Sequence, residues 1–285
     1  MKMKTKKDYL TIAVIILLMI TSIFGMLSAN FTRSYEVVNQ YGQTVEMFGY
    51  GIYAHDTYFQ APISIGTDIC ILLVVVPMFV IAYHRYSKSG SAAAHLELIS
   101  IYGVALYYAA SLAFGLTYNR LFLVYVALFA SSLFGMFRQI GHLELTQKAT
   151  ATRGLTIFLS LSGIALVVAW LPDIIPTLIS GETLSLIGVY TTCITYVLDM
   201  GIICPLCIVT LYLLKKEDAR GTLLLAILLK ACIIIGVMMF PQMICQIISG
   251  CDMPLIALVT KSFSFILLGG FAFFFHKRLY HQITQ

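Results

Sequence analysis

Residues 222–248 read TLLLAILLKACIIIGVMMFPQMICQII, and residues 184–214 read LSLIGVYTTCITYVLDMGIICPLCIVTLYLL. Both runs are long enough to cross a bilayer, and each carries one charged residue in its interior: Lys230 in the first, Asp199 in the second. A short charged stretch, 215–221, joins them. An ionisable side chain at bilayer depth costs about 2.5–3.5 kcal/mol on insertion scales, so it is retained where it has a partner or a task. These two runs therefore decide the fold class and also mark where function should be sought.

The rest of the chain has the same character. It is 60% hydrophobic and 11% charged, with a mean hydropathy of +0.91. A soluble domain carries about 25% charged residues. Eight apolar spans are predicted, at 9–27, 63–83, 96–114, 121–137, 155–171, 184–214, 222–248 and 253–275. The expected fold is an all-α, polytopic transmembrane helix bundle forming one integral membrane domain over 1–285, with a small extracytoplasmic cap at 28–62. The first span follows Lys2, Lys4, Lys6 and Lys7 but is long for a signal peptide and lacks a good cleavage context, so it reads as an anchor.

Charge sets the expected orientation. Of the 18 Lys and Arg, 14 fall at the N-terminus or in alternate loops on the same side, while the opposite loops hold only Arg33 and Arg120. The positive-inside rule then places both termini in the cytoplasm, which requires an even number of spans. The net charge of +5 is thereby explained by topology and calls for no nucleic-acid partner. The seven cysteines are scattered, mostly within spans, which argues against a disulfide framework, although Cys245 and Cys251 are both expected near the outer face and could pair.

Between the first two spans, 35–48 reads as two short β-runs around a Gly-containing turn, followed by an aromatic stretch with His55 and Asp56 at its centre. This segment is expected either to cap the bundle or to lie in the interface as an aromatic belt. Pro172 and Asp173 are expected to close the fifth span, with Trp170 as an interfacial anchor.

The sixth run is too long for a simple span. Fully helical, it would measure about 46 Å against a core of about 30 Å. Pro205 cannot donate to the carbonyl of Gly201, so a bend or break is expected there. Thr192, Thr195, Tyr196 and Asp199 share one helical face, a polar stripe that should avoid lipid. Asp199 and Lys230 are nearly equidistant from the turn at Lys215, so a salt bridge between adjacent helices is expected. Asp68 with Lys261 forms a second candidate pair nearer the outer face, with Asp252 as a competing partner for the lysine.

Other patterns point to less. Cys204 and Cys207 form a C-x-x-C on the cytoplasmic half of a span, the wrong side for quinone-coupled thiol oxidation. His95-Leu96-Glu97-Leu98 and His142-Leu143-Glu144-Leu145 place His and Glu two residues apart, so they diverge on a helix. Met238, Met239 and Met243 are ordinary gap-fillers. No catalytic residue set, metal site or cofactor is expected.

Three stretches carry a resemblance: Ile65-Gly66-Thr67-Asp68; Phe114-Gly115-Leu116-Thr117-Tyr118-Asn119 continuing through Leu121 to Phe129; and Val197-Leu198-Asp199-Met200-Gly201 through Pro205. Here, and at Lys230, the chain resembles a family of bacterial multi-pass membrane proteins with no assigned activity. Cys204 and Cys207 lie outside that family's pattern. The resemblance implies a bacterial cytoplasmic-membrane protein and supplies no substrate.

The functional expectation is a small-solute, ion or proton carrier or channel-like protein. Its ligand, a polar solute, an anion or a proton, would sit between Asp199 and Lys230, flanked by Thr192, Thr195, Tyr196, Asp68 and Lys261. The alternative is a non-transporting partner or sensor acting through the cap at His55 and Asp56. An intramembrane enzyme is disfavoured by the missing nucleophile–base pair.

Overall fold

Local capping chemistry sets where the helices begin and end. The Asp8 carboxylate accepts from the Leu10 and Thr11 N–H groups and starts α1, Tyr9–Met26. The computed structural model describes residues 8–184, 186–250 and 255–284, apart from the side chains of 255–258, 260 and 261. Helix α2 spans Gln60–Ser89 and ends at left-handed Gly90. Ser91 caps α3, Ala92–Gly115. Next come α4, Phe122–Gly141, and α5, Arg153–Ser180, the latter capped by Thr152. Helix α6 covers Ile194–Lys215, and Asp218 caps α7, Ala219–Ser249. The last helix is α8, Leu255–Thr284.

By length and composition, α1 to α7 are each able to cross a membrane. The 30-residue α8 packs along α7. The expected all-α bundle is borne out, and the chain is a multi-pass membrane protein. Helix α7 lies at its centre, against α2, α3, α6 and α8. Two close backbone crossings make this possible. A Cβ on Gly66 of α2 would stand 2.4 Å from Gln242 Cα of α7, and one on Gly236 of α7 would stand 3.1 Å from Gly269 Cα of α8. In lipid, where apolar contact is no driving force, such small-residue crossings are what let helices pack.

The cap contains the expected hairpin: β1, Tyr35–Val38, pairs antiparallel with β2, Thr44–Met47. Its turn uses Gly42 at a φ of 78°. Beyond it a short helical turn, Gly51–Tyr53, leads to Asp56.

The structure adds detail to the sequence-based expectation in the fifth and sixth spans. Residues 186–193 are turns and bends rather than the start of the sixth helix, so its excess length resolves as a break before Ile194. Helix α5 continues through Pro172 and Pro176 to Ser180 instead of closing at residue 171. Prolines are tolerated in bilayer helices because neighbouring groups satisfy the freed carbonyls. The irregularity near Pro205 is a π-turn, Asp199–Ile203, in which Cys204 N–H donates to the Asp199 carbonyl five residues back. Helix α2 uses the same device at Ile71–Val75, just before Pro77. One added residue per turn absorbs the donor that proline lacks.

Candidate functional site

A cavity of about 320 Å³ lies among α2, α3, α5, α6, α7 and α8. Its lining on α7 runs from Ala231 to Gln246, about 22 Å along the helix axis. Thr57, Phe59 and Gln60 bound it at the cap end. Thr192, Thr195, Tyr196 and Asp199 all line it. Thr192 reaches the wall from the turn before α6, not from the helix itself.

Asp199 is 4% exposed and opens the π-turn. The Tyr107 hydroxyl donates to its Oδ1 at 2.9 Å, and Trp170 Nε1 donates to its Oδ2 at 3.1 Å. Trp170 also stacks on Tyr196 with ring centroids 4.6 Å apart, and the Tyr196 hydroxyl donates to Asp173 Oδ2 at 2.9 Å. The carboxylate is thus part of a braced aromatic wall joining α3, α5 and α6. Trp170, read as an interfacial anchor, is instead buried against the site.

Lys230 does not face Asp199. Lys230 is 3% exposed, its ammonium lies 2.6 Å from Glu97 Oε1 on α3, and His276 Nε2 of α8 is 3.4 Å from the other Glu97 oxygen. Equal distance from a shared turn sets depth, whereas azimuth changes by 100° with each residue, so equal depth left the facing direction open. Glu97 is the partner that sequence reasoning missed; a carboxylate in the first turns of an apolar span was the available signal.

Asp68 is fully buried, and the hydroxyls of Tyr53 and Tyr108 donate to its two oxygens, each at 2.5 Å. The side chain of the expected partner, Lys261, and with it that pairing, lies outside the described residues. Gly25 of α1 presses on the same carboxylate: a Cβ there would stand 1.6 Å from Asp68 Oδ2. His55 is exposed, with Nδ1 3.0 Å from the Tyr35 hydroxyl. Cys245 is a buried free thiol, and Cys251 lies outside the described residues. Among the described residues no group of His, Cys, Asp and Glu is arranged to hold a metal.

Asp56 forms the roof. It is fully buried, and Oδ1 accepts from the Thr117 N–H and the Tyr190 hydroxyl, both at 3.0 Å. Thr57 N–H donates in turn to the Tyr190 oxygen at 3.2 Å. One carboxylate therefore ties the cap to the α3–α4 loop and to the turn before α6. Burial pushes its carboxyl up to about 6, against the pull of the Thr117 N–H and the Tyr190 hydroxyl.

Comparison with protein-family models, with curated proteins and with solved structures gives no match to this chain.

Proposed function

We propose that the protein is a carrier or channel-like protein of the bacterial cytoplasmic membrane, with both termini inside, and that it binds a small solute in the cavity beside Asp199. One observation carries this reading: a roofed cavity of about 320 Å³ among the long apolar helices, walled by a buried carboxylate at a helix irregularity. A π-turn beside an intramembrane acid is common hardware for a solute site. The volume falls within the range of about 300–1,000 Å³ typical of ligand pockets.

The test is mass spectrometry of protein purified gently in native lipid, with flux of any retained molecule into proteoliposomes. The wild type is expected to retain a small molecule and pass it. Ser111→Phe, which fills the cavity wall, is expected to do neither. Equal retention by both forms, or none by the wild type, removes the reading. Retention without flux favours the sensor alternative, for which the hydrogen-bonded tie between cap and bundle at Asp56 and Tyr190 speaks.

A further inference from the structure

The cavity has two chemically different ends. Nearest the cap, α2 contributes Gln60, Ser64 and Thr67, at i, i+4 and i+7, and α7 contributes Gln242 and Gln246 at i, i+4. Each set therefore lies on one helical face. Gln242 Nε2 donates to Thr67 Oγ1 at 2.7 Å, and the Gly66 crossing holds the two backbones in contact beside this bond. The result is a wall of amides and hydroxyls. At the far end the lining is Ile203, Cys207, Cys232, Ile235 and Leu268.

Among the described lining residues there is no lysine, arginine or histidine, and Asp199 is the one carboxylate. Its oxygens already accept from Tyr107 and Trp170, so it braces the wall. At the cap end a charged ligand group would give up its hydration for the neutral amides and hydroxyls of the described wall, whereas a neutral hydrogen-bonding group would be matched there. An apolar tail would in turn be matched by the far end.

Resting on the reading of this cavity as a solute site, we infer that its ligand is a neutral amphiphile. The hydroxyl- or amide-bearing head lies against Gln60, Thr67, Gln242 and Gln246, and an apolar tail points toward Cys207 and Leu268. This orientation places the head under the cap and the tail at mid-bundle. It also places the body of the ligand across the face of the Trp170–Tyr196 stack.

Trp170 is the single tryptophan of the chain, so the protein carries its own reporter. In phosphatidylcholine nanodiscs, monocaprin, decanoate and decylamine are titrated while tryptophan emission is followed. Ser111→Phe serves as the blank for partition into the bilayer. Monocaprin is expected to give a saturable change, with the two charged probes at least tenfold weaker. Gln242→Leu is expected to weaken monocaprin about tenfold, with Gln246→Leu as a second variant should the first fail to fold. Binding of decanoate or decylamine as tight as monocaprin overturns the inference, as does an absent monocaprin response or an unchanged affinity in both glutamine variants. A charged or wholly polar molecule retained by the wild type and lost in Ser111→Phe sinks the ligand class while leaving the cavity reading intact.

Discussion

At the scale of single residues, the bundle's buried charges are held by specific partners, and the partners make their removal predictable. Truncating one member of a buried ion pair leaves the other without compensation, which typically costs about 3–5 kcal/mol, whereas replacing both is close to neutral. Lys230→Met is therefore expected to lower stability sharply, and Lys230→Met with Glu97→Gln to recover most of the loss, measured by thermal melting in nanodiscs. Lys230→Met combined with Asp199→Asn should instead be additive, since the ammonium sits on Glu97. Strong coupling between positions 199 and 230 would contradict the geometry. Asp56 makes a different prediction. Its carboxyl is displaced from 3.8 to about 6 by burial, so the folded state binds the proton more tightly than the unfolded chain does. Its contribution to stability is fully present below about pH 4 and fades as pH rises through about 6, a swing of about 3 kcal/mol. The melting temperature of the wild type should thus fall between about pH 4 and 7, and level off above that, relative to Asp56→Asn, which keeps the Oδ1 acceptor and cannot ionise. Parallel profiles would show that Asp56 does not titrate in this range.

At the scale of the helix, what can be read from a sequence depends on which physical property the pattern encodes. Hydropathy encodes depth, so the apolar runs, the hairpin around Gly42 and the polar stripe ending at Asp199 were legible. Azimuth and partner choice are set by packing between helices, so Glu97, Tyr107, Trp170 and Gln242 were not. Pro205 lies between these cases. Its missing donor forecast an irregularity, yet not that the chain would answer with a π-turn at Asp199–Ile203. This suggests a prediction at the same scale. Pro205→Ala restores a donor for the Gly201 carbonyl and removes the reason for the extra residue in that turn. Regular α-helix would turn Asp199 by about one residue, or 100°, away from Tyr107 and Trp170. The variant is expected to melt below the wild type, because the buried carboxylate loses the Tyr107 and Trp170 donors, while its Trp170 emission shifts and the retained solute is lost. Unchanged emission with solute still bound would show that the turn plays no part in building the site.

At the scale of the whole molecule, the remaining question is where α8 ends. Among the described residues seven helices satisfy length and hydropathy, and an odd number of crossings would put the two ends of the chain on opposite sides. Helix α8 is 30 residues long, about 45 Å, which is ample to cross a core of about 30 Å. It packs along the full-length neighbour α7, with glycines at the crossing, as a spanning helix does. Its last turns change character: Lys277 lies 4.5 Å from the Phe273 ring and Arg278 lies 5.6 Å from the Phe274 ring. Basic groups over aromatic rings are suited to headgroup depth, where the stem stays in the apolar layer and the charge reaches water. Helix α8 is therefore expected to be the eighth crossing, returning the chain to the side where it began. Single cysteines at positions 5 and 282, in a background whose other thiols are replaced, should both resist an impermeant maleimide in intact cells. Both should react once the membrane is opened. Labelling of one position alone in intact cells would place α8 along the surface and leave seven crossings. Labelling of both would keep the even count but invert the orientation expected from the lysines and arginines.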